Sequence, residues 1–170
     1  MTNLNNYDNA FSRYSNTLEN RTMPLNSWDF FTSHFYALKS KVSDASELQQ
    51  LAAKKNWVQQ WNFKKQLERK VIVVTDAKLS IVFASQNMVQ MSGYSPEEII
   101  GKTPKMFQGE KTSKATLQEI RMAISEGKPF DKVIVNYKKN GETYKCHIKG
   151  FPVFDKNNKL SNFIAFERAA

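Results

Sequence analysis

The sequence predicts an α+β fold, two strands, a set of short helices and three further strands, preceded by an N-terminal helical extension. Three observations carry that expectation. Hydrophobic periodicity changes from helical to strand-like at Val71. Short, sharply punctuated helical segments separate two strand-like runs from three later ones. Asn140-Gly141 joins two long β-rich runs with the dipeptide most favoured at a tight hairpin, whose central residues need positive φ.

Residues 1–24 are rich in Asn, Ser and Thr with little periodicity, which predicts a flexible tail. Pro24 breaks the chain, and Ser27 can cap a helix in which Trp28, Phe31, Phe35 and Leu38 recur at helical spacing. Asp44, with Glu47 three residues on, resembles a capping box opening a second helix with Leu48, Leu51 and Ala52 on one face. Trp57 and Trp61 predict a third helical stretch, with Phe63 and Leu67 at i, i+4 beside them. The expected organisation is a tail over 1–24, a helical extension over 25–69 and a domain over 70–170.

Val71 to Thr75 is β-branched throughout, Asp76-Ala77-Lys78 supplies a turn, and Ile81 to Ala84 returns as a second strand. Residues 87–92 read as a helix stopped by Gly93. Ser95, Pro96, Glu98 and Gly101 then stand where an N-cap, a first-turn proline, a reciprocal capping carboxylate and a terminator belong, so a one-turn helix is expected. After a short turn through Met106, Thr112 can cap a longer helix with Leu117, Ile120 and Ile124 facing the core, ending at Gly127. Three strands close the chain, over 132–137, 143–154 and 161–168. Alternation places Ile134 and Asn136 opposite Val133, Val135 and Tyr137, and it places Tyr144, Cys146, Ile148 and Gly150 opposite Phe151 and Val153.

Composition narrows the function. Hydrophobic residues are 41% and charged residues 24%, an ordinary globular balance. The net charge of +9 is scattered: residues 1–69 carry nine basic and six acidic side chains, residues 70–170 sixteen and ten, with no block of five like charges. A solvated basic surface accounts for this better than a nucleic-acid footprint, which needs a clustered stripe. No apolar run approaches the ~20 residues of a membrane span, and residues 1–20 lack an apolar signal core, so a cytoplasmic location is expected. The lone Cys146 cannot form an internal disulfide. His34 and His147 are the only histidines, neither on the helix after Thr112, which argues against haem, and no ligand cluster suits zinc. No nucleophile context supports hydrolysis, so an enzyme is not expected.

The runs Val73-Val-Thr-Asp76, Gly93-Tyr-Ser-Pro-Glu-Glu98, Gly101-Lys-Thr-Pro-Lys-Met-Phe-Gln108, Asn136-Tyr-Lys-Lys-Asn-Gly141, Phe151-Pro-Val153 and Asn162-Phe-Ile-Ala-Phe166 together resemble the PAS sensor family, from about Val71 to Arg168, and are closest to its light-sensing (LOV) branch. The resemblance implies a five-stranded antiparallel sheet with short helices on one face, wrapped around a small pocket. Candidate pocket residues are Thr75, Phe83, Asn87, Thr103, Lys105, Gln108, Asn136, Cys146 and Ile148. Flavin-binding relatives hold the ring with amides, which Gln108 and Asn136 match, while Lys105 stands where a phosphate-contacting arginine is usual. Four positions depart: Thr103 and Cys146 replace asparagines, Glu167 replaces a glutamine, and Pro104 replaces the photoactive cysteine. The cofactor is therefore left open between FMN, FAD, another small ligand and none. Val133, Val135, Tyr137, Phe151, Val153, Ile164 and Phe166 would form an apolar outer face too large to leave wet. Trp28, Phe31, Phe35, Trp57 and Trp61 are the expected cover, from this chain or a second copy. The implied function is a stand-alone bacterial sensory or interaction module without catalytic activity, a homodimer signalling to an unidentified protein; the alternative is a flavin or small-ligand sensor that forms no photoadduct.

Overall fold

The structure, a computed structural model, describes residue 40 and residues 42–170. The expected tail over 1–24 and the Trp28, Phe31 and Phe35 stripe lie outside the described residues. Five strands, β1 (Val71–Asp76), β2 (Ile81–Ala84), β3 (Phe130–Tyr137), β4 (Thr143–Phe154) and β5 (Leu160–Ala169), form one sheet in the order β2-β1-β5-β4-β3. Every pairing is antiparallel. The first and last strands of the domain thus meet at the centre, which closes it on itself. Between β2 and β3 run α3 (Met88–Ser92), α4 (Pro96–Ile99), a 3₁₀ turn (Pro104–Phe107) and α5 (Lys114–Ser125). Before β1 come α1, over residues 42–54, and the one-turn helix α2 (Phe63–Leu67).

The short helices are set by local chemistry. Gly93 ends α3 at φ +78, a conformation costly for a residue with Cβ. The Glu98 carboxylate accepts the Ser95 N–H at 2.9 Å and also pairs with Lys139, tying α4 to the β3–β4 loop. α5 is capped by Ser113, which accepts from the Thr116 N–H, and not by Thr112. Thr112 is buried instead, donating to the Val135 carbonyl at 2.7 Å and accepting from the Gly109 N–H. A tertiary partner on β3 outbid the local cap. The β3–β4 connection is likewise wider than a two-residue turn: Gly141 alone has positive φ there (+87), the Gly141 N–H donates to the Lys138 carbonyl, and the Lys138 N–H donates to the Glu142 carbonyl. That is a three-residue loop closed by a left-handed glycine.

Two cores flank the sheet. On the helix side Val71, Val73, Ile81, Ala84, Met88, Ile99 and Phe107 pack together. On the other side Ile72, Val74, Phe83, Val153, Ile164 and Phe166 meet Ala45, Leu48, Trp57, Phe63 and Leu67 of the preceding segment. The apolar outer face is therefore covered, over its β1, β5 and β4 portion, by residues 45–67 of the same chain. Phe151 and Trp61 pack at the margin, with Phe151 edge-on to Phe166 at 5.9 Å. Towards β3 the cover ends, and Val133 is 51% exposed.

The covering segment differs from the expected helix pair. Asp44 is buried inside α1, not at its start, and its carboxylate accepts the Gln86 N–H at 2.9 Å, pinning the helix to the loop after β2. Burial pushes that carboxyl up to about 6, against the lowering effect of the Gln86 bond. Trp57 is not helical: it bridges Asp155, and the Val58 N–H donates to the Phe154 carbonyl. The Trp57 indole N–H donates to buried Asn162 at 3.1 Å, and that tertiary bond fixes an extended path where side-chain spacing alone suggested a helix.

Candidate functional site

A cavity of about 310 Å³ lies between the inner face of the sheet and the helices. Alternation on the strands supplies its floor: Val73 and Thr75 from β1, Phe163, Ala165 and Glu167 from β5, Ile148 and Gly150 from β4, Ile134 and Asn136 from β3. Leu117, Ile120, Arg121 and Ile124, at i, i+3, i+4 and i+7, form one stripe of α5 over it. The 3₁₀ turn and its flanks contribute Thr103, Pro104, Lys105, Phe107 and Gln108, and the β1–β2 turn contributes Lys78 and Leu79.

Three features mark this space as unfinished by protein atoms. α5 has no fully buried residue, although its apolar stripe points at the cavity. Thr75 is 6% exposed, yet its hydroxyl has no hydrogen-bond partner, a cost of about 1–3 kcal/mol for a buried polar group. Gly150 has no room for a side chain: a Cβ there would collide with the Phe130 ring, so the ring folds across the strand and shapes the cavity wall. The lining also combines amides (Gln108, Asn136) with cations (Lys78, Lys105, Arg121) on an otherwise apolar surface.

Of the nine sequence-derived pocket residues, Thr75, Thr103, Lys105, Gln108, Asn136 and Ile148 line this one cavity. Phe83 does not. It pairs with Val74 and packs on the outer face, because the β1–β2 register shifts between Val74 and Thr75 and sends Ile81 and Phe83, which simple alternation puts together, to opposite sides. Asn87 is held elsewhere as a structural clasp, donating to the Lys70 carbonyl and accepting from the Ser85 hydroxyl at 2.6 Å. Cys146 is fully buried and outside the cavity lining; its thiol donates to the Glu167 carboxylate at 3.6 Å. Burial, with the adjacent Glu167 charge, pushes that thiol far above its ordinary value, so it is a poor nucleophile.

Of the interface residues, Trp57, Trp61, Phe151 and Val153 meet on the outer face, whereas Val133 and Val135 lie on β3 apart from that cluster. Tyr137, expected on the outer face, turns to the loop beside β3: its hydroxyl accepts the Lys111 N–H, and its ring occupies the space a Gly109 side chain would need. Three polar lining residues, Lys78, Arg121 and Glu167, escaped the sequence reading, Lys78 having been read only as part of a turn. Arg121 falls in the apolar stripe of α5, a signal visible in the spacing, and Glu167 was noted only as a departure from a pattern. Burial pushes the Glu167 carboxyl up to about 7, and the Cys146 thiol lowers it.

Among the described residues no helix is long and apolar enough to cross a membrane, and no group of His, Cys, Asp and Glu could hold a metal ion.

The PAS domain family model matches residues 68–168. Protein TWIN LOV 1 of Arabidopsis thaliana is 41% identical over 98 residues, covering 55% of this chain and 25% of that protein. A blue-light-activated histidine kinase of Brucella canis is 35% identical over 85 residues, covering 50% of this chain and 17% of that one. The chain thus spans a quarter or less of the length of these curated relatives. Among solved structures, the light-state structure of the blue-light photoreceptor Aureochrome1 LOV superposes with a TM-score of 0.58 at 25% identity, over 65% of this chain and 89% of that one. The LOV domain of the blue-light activated histidine kinase from Erythrobacter litoralis gives 0.56 at 23% identity, over 59% and 94%, a likeness of fold. Sheet order, helix placement, cavity and family match agree, and the chain, which is similar to LOV proteins, belongs to the PAS domain family.

Proposed function

We propose that this domain senses through a flavin-class ligand held non-covalently in the cavity, and passes the state of that site to the helical segment on the opposite face of the sheet. The cavity lining carries the reading: an apolar space bordered by the amides of Gln108 and Asn136 and the cations of Lys78, Lys105 and Arg121, with Thr75, whose buried hydroxyl is unpartnered, in its wall. The residues present fit such a group. Asn136 and Gln108 offer paired donors and acceptors to a heteroaromatic edge. Lys105 and Arg121 suit a phosphate. Leu117, Ile120 and Ile124 would exclude water from the ring. When bound, a flavin supplies blue absorption and reversible redox chemistry. Pro104 has no thiol to attack it, and Cys146 is withdrawn behind Glu167, so the signal in this reading comes from occupancy or redox state and not from a cysteine adduct.

Transmission has a physical path. Asn162 on β5 accepts the Trp57 indole N–H and donates through Nδ2 to the Thr75 carbonyl at 2.9 Å. One amide thus joins the covering segment to a strand residue in the cavity wall. Output passes through that segment to a partner, a second copy of the chain or a separate signalling protein, in which any catalysis would lie.

Purified chain incubated with FMN and freed of excess by gel filtration is expected to retain absorbance between about 350 and 500 nm, with Asn136→Ala weakening binding about tenfold or more. Colourless protein after that treatment contradicts the reading.

A further inference from the structure

Glu167 is the one acidic side chain lining the cavity, and its surroundings are unusual for a carboxylate. It projects from β5 beside Val71 of β1 and Ile148 of β4, its register partners, neither of which carries charge. β4 also brings Cys146 and Tyr144 towards it; the Cys146 thiol is its one hydrogen-bond donor among the described residues, and the Tyr144 hydroxyl is raised by burial and then by these two acidic groups. β3 contributes neutral Asn136, and α3 carries no titratable residue; on its other side Glu167 borders a second cleft with Glu68, Arg69, Lys70 and Arg168, none of which forms an ion pair with it. The cations of the cavity, Lys78 after β1, Lys105 in the 3₁₀ turn and Arg121 on α5, make no ion pair with it. An unpaired carboxylate in such a place is expensive to desolvate, and a ligand filling the cavity displaces water from that side of it. The neutral acid has no such cost, and it gains an O–H that a carboxylate lacks.

Resting on the flavin-class reading above, we propose that Glu167 holds the ligand as the neutral carboxylic acid, donating its O–H to an acceptor atom on the heteroaromatic ring, so that ligand binding takes up a proton and the site couples occupancy to pH. The sign follows from the carboxyl's position in the free protein, near 7. Below that value the acid is already protonated and binding is insensitive to pH. Above it, each molecule bound must bring a proton with it, and affinity falls by about tenfold per pH unit until the bound-state value is passed. A ligand presenting a donor instead of an acceptor to Glu167 would show the opposite slope, because it would favour the carboxylate.

The test is FMN titrated into the full chain from about pH 6 to about pH 9, following flavin fluorescence, with Glu167→Gln beside the parent. Glutamine keeps the shape and a permanent donor without the proton, and FMN's own ionisation is common to both proteins. The expected result is a dissociation constant that weakens with a slope near one decade per pH unit in the parent and stays flat in E167Q, relative to the ligand's own titration. Calorimetry in two buffers of different ionisation enthalpy should then find about one proton taken up per FMN above the midpoint by the parent alone. Parallel pH profiles for the two proteins would overturn the proton coupling while leaving the flavin reading intact. Absence of FMN binding by both proteins at every pH would overturn both.

Discussion

Replacing Leu48 by alanine is expected to lower the unfolding free energy by about 2–5 kcal/mol, with a fall in Tm on the order of 10 °C. Leu48 is wholly buried on α1, within the cluster that contains Trp57, Ile72, Val74 and Phe83. Truncation forfeits its transfer free energy and leaves a void between a helix and a sheet face that is too flat to collapse into it. The same helix carries an internal control in Val42, which is 62% exposed, so Val42→Ala should leave Tm within a degree or two, as surface substitutions do. Denaturant melts of the two variants beside the parent check both halves. Equal, small effects would mean that α1 does not dock on the sheet.

The second large effect belongs to Asn162. Its carboxamide accepts from the Trp57 indole N–H and from the Ser161 hydroxyl at 2.7 Å, and donates to the Thr75 carbonyl, all with only 1% of the residue exposed. Asn162→Ala removes every one of these bonds at once and strands the indole N–H in an apolar cluster, an expected loss of about 2–4 kcal/mol. Trp57→Phe should cost less, because it removes the indole N–H, keeps an aromatic ring in the cluster and leaves the Asn162 carbonyl still accepting from Ser161. A double-mutant cycle between the two is expected to show a coupling of about 0.5–3 kcal/mol, whereas additive losses would mean that Trp57 and Asn162 do not act as a unit.

How far the fold was legible depended on whether local chemistry or a tertiary partner decided each element. β1 and β2 were readable because β-branched runs leave few alternatives, and α4 because Ser95, Pro96 and Glu98 satisfy one another within four residues. Asp44 and Thr112 looked like helix caps and are not, since Gln86 and Val135 lie far away in sequence and compete for the same side-chain oxygens. Trp57 had helical spacing but an indole N–H that only Asn162, 105 residues on, could satisfy. The cavity residues followed from strand alternation wherever the register was regular, as at Asn136 and Ile148, and failed at Phe83, where a register shift in β1 and β2 is invisible without the partner strand. Glu167 shows the converse limit. Its place on β5 could be counted from the sequence, but its burial and its single thiol partner belong to the folded chain.

The claim that ties the molecule together is that the state of the cavity reaches the covering segment through the sheet. Hydrogen exchange of the α1 amides, residues 42–54, measured with and without saturating FMN, tests it most directly. The expected result is a change in α1 protection on FMN addition in the parent that is largely lost in Trp57→Phe, where the link to Asn162 and Thr75 is cut. FMN bound with α1 exchange unchanged would contradict the account.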